Sequence, residues 1–138
     1  MIHVFCNKRG SGKTKDLITL ANDKAITAKG DLVYININDN NRQKLEINKT
    51  IRFITTNDYK LKSYEGFYGF VCGILSEDYD IETVFIDGLS NMVAGDIEDA
   101  AHLFFDLEKL AHKNNVEFYI NVNHEKDEIP EFIKKYVA

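Results

Sequence analysis

The apolar positions of this chain fall into short continuous runs, separated by longer stretches in which they recur every three to four residues. Residues 2–6 (IHVFC), 32–37 (LVYINI), 51–55 (IRFIT), 83–87 (TVFID) and 116–122 (VEFYINV) are the runs. Short runs rich in β-branched and aromatic residues predict strands covered on both faces. Between them the period lengthens to that of a helix. Residues 13–28 set Leu17, Leu20, Ala21, Ala25 and Ala28 on one face, and residues 96–114 do so with Ile97, Ala100, Ala101, Phe104, Leu107, Leu110 and Ala111. Residues 60–77 read as a further helix despite Gly66, Gly69 and Gly73, and Pro130 opens a last short one. Gly30 stands where a helix C-cap is expected. The asparagine-rich stretch 37–50 reads as loop.

Strands alternating with helices predict an α/β, three-layer domain spanning residues 1–138, with a five-stranded mostly parallel sheet and helices on both faces. Such sheets bind ligands at the carboxyl ends of their strands. The segment leaving the first strand is therefore the first place to look for chemistry. It reads NKRGSGKT over residues 7–14, close to G-x-x-x-x-G-K-[ST] with Asn7 in place of the first glycine. Asparagine is one of the few other residues that tolerate left-handed backbone, so the turn can still close. Gly10 and Gly12 let backbone N–H groups approach an anion closely at a helix N-terminus, with Lys8, Arg9 and Ser11 in the same loop. Lys13 is placed to neutralise β- and γ-phosphate charge, and Thr14 to offer a hydroxyl to Mg²⁺. The fourth strand ends in Asp87, whose carboxylate is the natural partner for that cation. Lys13 and Asp87 are thus the candidate catalytic residues, and Thr14 and Asp87 the candidate metal ligands.

The remaining features narrow the picture. A net charge of −5 disfavours a nucleic-acid partner. Cys6 and Cys72 form no C-x-x-C pair and read as buried apolar filler in a reducing, cytoplasmic setting. No apolar stretch approaches a membrane span, and the amphipathic ending IPEFIKKYVA is too short to anchor alone. His3 reads as strand filler, His102 and His112 lie on one helix without metal spacing to each other, and Tyr64, Phe67, Tyr68 and Phe70 read as core.

With NKRGSGKT and TVFID both present, the chain resembles the P-loop NTPase superfamily. NKRGSGKTKDLITLANDKAITAKGDLVYI is similar to the opening of partition and septum-site ATPases, with Lys8 at their second lysine, but Asn36 and Asn38 stand where those proteins carry aspartates. The same stretch is similar to thymidine kinases, whose Asp-Glu pair is Asp87-Gly88 here and whose zinc-binding cysteines are missing. The whole chain most resembles short bacterial P-loop proteins of unassigned function. The resemblance implies Mg²⁺-dependent binding of a purine nucleoside triphosphate, ATP ahead of GTP, with slow hydrolysis or hydrolysis stimulated by a homodimer or protein partner. The alternatives are a non-hydrolysing interaction module and a small-molecule or nucleoside kinase. Related ATPases set a γ-phosphate-sensing polar residue at the end of the fifth strand, where this chain has Asn123 and His124. No acid follows Asp87, and Asp39, Asp96, Glu98 and Glu125 are distant candidates for positioning water. Lys8 and Arg9, then Arg42 and Arg52, are candidates for contacting phosphate.

Overall fold

A computed structural model of the chain describes residues 1–6, 12–38 and 41–137. Its strands are β1 (Ile2–Cys6), β2 (Asp31–Asn36), β3 (Arg52–Thr55), β4 (Ile81–Asp87) and β5 (Glu117–Val122). They form one five-stranded sheet in the order β1-β5-β4-β2-β3. Every pairing is parallel, so the expected mostly parallel sheet is wholly so among the described strands. Near the outer edge of β1, the Val4 N–H donates to the Tyr136 carbonyl at 2.8 Å, and Val137 forms a single parallel bridge with Val4.

The helices are α1 (Lys13–Thr27), α2 (Asn41–Glu46), α3 (Tyr64–Glu77), α4 (Leu89–Met92), α5 (Ala101–Asn114) and α6 (Glu131–Lys134). Side chains of successive strand residues leave opposite faces of the sheet, and the two faces meet different helices. On one face, Val33, Ile35, Val84, Ile86, Phe118 and Ile120 bury against α3 and α5. On the other, Leu32, Tyr34, Phe85 and Tyr119 bury under Leu17, Ile18 and Ala21 of α1. The result is a three-layer α/β arrangement.

The α1 face of the sheet carries an unbroken row of rings. His3, Tyr119, Phe85, Tyr34 and Phe53 are consecutive register partners across β1, β5, β4, β2 and β3. Their centroids are separated by 4.5, 5.5, 6.1 and 5.9 Å in that order, each pair nearly parallel. Register partners point the same way, so an aromatic at each of these positions necessarily stacks on the next.

Several sequence expectations need correction. The stretch 37–50 is not all loop, since it contains α2, which Asn22 fastens to α1. The Asn22 amide donates to the Glu46 carbonyl at 2.8 Å, and its oxygen accepts from Asn48 N–H at 2.7 Å. Gly30 is not the cap, because α1 ends at Thr27 and its C-cap is Ala28, with extended backbone. The glycine is needed for space, since a Cβ there would lie 2.3 Å from the Asp80 carbonyl oxygen at the start of β4. The helix expected over 60–77 begins at Tyr64, where the Ser63 hydroxyl accepts from Gly66 N–H at 3.0 Å. The one expected over 96–114 opens as a 3₁₀ turn, Ile97–Ala100, which turns Ala101 outward and Leu103 inward. Cys6 and Cys72 are half-buried rather than buried. Phe67 is buried, and Tyr64, Tyr68 and Phe70 pack against the same core. No helix among the described residues is long and apolar enough to cross a membrane.

Candidate functional site

An all-parallel sheet brings the carboxyl ends of its strands to one edge, and a cleft of about 700 Å³ opens there. Its lining draws Gly12, Lys13 and Thr14 from the start of α1, Asn36 from the end of β2, Arg42 and Gln43 from α2, Asp87 and Gly88 from the end of β4, Asn91 from α4, and Asn123 after β5. Gly12 precedes the helix with φ 86°, and among the described residues a Cβ added to it would meet nothing within 4 Å. Its open side is cleft space. Lys13, the first residue of α1, is 9% exposed and counts among the buried residues of the helix.

The two sequence motifs meet at Asp87. The Thr14 hydroxyl donates to Asp87 Oδ1 at 3.1 Å across a sequence separation of 73 residues. The Asn121 amide donates to the same oxygen at 2.8 Å, and the Tyr34 phenol donates to Oδ2 at 2.8 Å. Asp87 is 6% exposed, Asn121 1% and Tyr34 0%. A buried carboxylate is tolerable only with such partners. Asn121 also accepts from the Gly88 N–H, so one side chain fixes both the carboxylate and the peptide that follows it. Burial, then the neighbouring Asp87 charge, hold the Tyr34 phenol far above the usual tyrosine range. Tyr34 is therefore a donor to Asp87 at any working pH.

The other candidates separate cleanly. Asn36 is buried, accepting from Ile37 N–H at 2.8 Å and donating to Gln43, whereas Asn38 is exposed and does not line the cleft. Asn123 lines the cleft, but His124 does not, and its Nδ1 lies 3.5 Å from the Ser90 hydroxyl. Arg42 lines the cleft with Glu46 at 3.6 Å, while Arg52 sits on β3 facing Glu77 at 3.6 Å. Asp96, Glu98 and Glu125 are not part of the lining. Asn7, Lys8, Arg9, Gly10, Ser11 and Asp39 lie outside the described residues.

Tyr34 and Asn121 were missed by motif reading. The signal for Asn121 was present, because an amide inside the apolar run VEFYINV has to find a buried partner. Which partner it finds depends on register, which sets Asn121 opposite Asp87.

A hydroxyl and a carboxylate oxygen at a helix N-terminus form a hard, oxygen-only donor set. That chemistry fits Mg²⁺ carrying phosphate and water as its other ligands, and does not fit a thiophilic metal. No protein-family model matches the chain, and no curated protein matches it.

Proposed function

We propose that this chain binds the Mg²⁺ complex of a purine nucleoside triphosphate, ATP ahead of GTP, in the cleft at the carboxyl edge of the sheet, and hydrolyses it slowly or under stimulation by a partner. The observation that carries this reading is the Thr14–Asp87 hydrogen bond. It joins the residue after the motif lysine to the acid that ends an apolar strand, at the mouth of a helix whose preceding glycine opens onto the cleft. The class assignment, a P-loop NTPase acting in the cytoplasm, is part of the same proposal.

In this reading each residue has a limited task. Lys13 offsets charge on the β- and γ-phosphates, and the N-terminal turn of α1 contributes N–H groups and the positive end of its dipole. Thr14 and Asp87 hold the cation, which when bound supplies charge neutralisation to the phosphates. Asn123 faces the cleft where it can contact the terminal phosphate.

A second reading, a nucleotide-dependent interaction module without turnover, has its own support. Among the described residues lining the cleft, the carboxylates are Asp87 and Glu46. Asp87 already accepts three hydrogen bonds, and Glu46 faces Arg42. Neither is disposed to take a proton from an attacking water.

Calorimetric titration of ATP and GTP, with and without Mg²⁺, tests the binding. Losing the Lys13 ammonium removes a charged hydrogen-bond donor, so Lys13→Ala is expected to weaken binding by about tenfold or more. Undiminished affinity in that variant, or no binding by the wild-type chain at millimolar nucleotide, overturns the proposal. Phosphate release that disappears with Lys13→Ala supports the hydrolase, and binding without release supports the module.

A further inference from the structure

The cleft explains Thr14 and Asp87 but leaves a buried phenol to account for. Tyr34 lies inside an apolar strand, wholly buried, in a row whose other neighbours are phenylalanines. Phenylalanine would fill that position equally well, and burying a hydroxyl costs free energy unless it is used. Its hydroxyl reaches from β2 to the end of β4 and donates to Asp87 Oδ2 at 2.8 Å.

We propose that Tyr34 is a positioning residue for the cation, aiming the Asp87 carboxylate through the Oδ2 hydrogen bond; this rests on the nucleotide-binding reading above. An ionised carboxylate offers about four acceptor sites, two on each oxygen. Thr14 and Asn121 take two at Oδ1, and Tyr34 takes one at Oδ2. One site remains, on the oxygen that Tyr34 holds, and it is the one left for a cation or a water on that cation. The aim is fixed by packing, because the Tyr34 ring is stacked between Phe53 at 5.9 Å and Phe85 at 6.1 Å. Hydrogen bonds to a ligating carboxylate set its orientation and basicity, and losing one typically lowers metal affinity ten- to a hundredfold.

The test is Tyr34→Phe, which keeps the ring and deletes only the hydroxyl. The full chain is titrated with ATP in EDTA, then with Mg²⁺ at saturating ATP, and with Mn²⁺ followed by its electron paramagnetic resonance signal. The expected result is an apparent Mg²⁺ and Mn²⁺ affinity weakened about tenfold, with ATP affinity in EDTA changed by less than about twofold. A purely structural hydroxyl would leave the cation titration unmoved or weaken both together, and either outcome overturns the proposal. If Tyr34→Phe does not fold, Phe53→Leu loosens the ring and spares the hydroxyl. It should weaken cation affinity by a smaller factor with the EDTA titration unchanged, and an unchanged cation affinity counts against the proposal. A wild-type chain that binds no ATP in EDTA or in Mg²⁺ defeats the nucleotide reading itself, a result distinct from binding whose cation dependence ignores Tyr34.

Discussion

Removing Asn121 should show how far the site and the fold depend on the same hydrogen bonds. Asn121→Leu keeps nearly the same volume and deletes both polar functions. Two losses follow. The bond from its amide to Asp87 is one to a charged acceptor, and such bonds contribute about 1.5–3 kcal/mol. The Gly88 N–H, which Asn121 accepts, is left without that partner in a buried position, at a cost of about 1–3 kcal/mol. The lower ends of these ranges apply, because Asp87 keeps Thr14 and Tyr34 and Gly88 lines the cleft. The expected destabilisation is therefore about 2.5 kcal/mol. Urea unfolding followed by circular dichroism measures it, with Asn121→Ala alongside to expose the cavity contribution. A loss below about 1 kcal/mol in the leucine variant would refute the argument, since it would mean that the buried carboxylate and N–H do not need this partner.

Gly30→Ala should destabilise the chain by about 1–3 kcal/mol, because the new methyl meets the Asp80 carbonyl where Asp31 joins β4, and backbone must move; thermal unfolding reads this directly. Glu108 accepts from the Tyr136 hydroxyl and faces Lys135 at 3.6 Å, and these contacts hold its carboxyl below the usual glutamate range. A depressed acid stabilises the fold above its unfolded pKa, and that contribution is lost as pH falls through the lower folded value. The melting temperatures of wild type and Tyr136→Phe should therefore differ near neutrality and converge under acid, and a gap that persists unchanged to low pH would contradict this.

The three inner strands, β2, β4 and β5, were legible because they are buried on both faces and so are written as mostly apolar runs, and the half-buried edge strands β1 and β3 because they are short and rich in β-branched and aromatic residues. The helix α2 was not, because it lacks an apolar stripe. Leu45 is 83% exposed, and the segment is held by the Asn22 bonds and by Ile47 and Ile51 beyond it. The Thr14–Asp87 pairing followed from two motifs and a parallel sheet. Tyr34 and Asn121 could not be assigned to the same site from sequence, because Tyr34 inside an apolar run also reads as core and the need of Asn121 for a buried partner does not say which partner it finds. Sheet order decides the matter, bringing β2 and β5 to the two sides of β4.

The file of stacked rings has a consequence for how the sheet assembles. Since its members stand on directly opposed positions, sliding any strand by one residue would break the file and swing that strand's rings into the opposite helical layer. The aromatics thus act as a registration mark, penalising misaligned pairings. The same alignment that lets them stack delivers Tyr34 and Asn121 to the carboxylate between them.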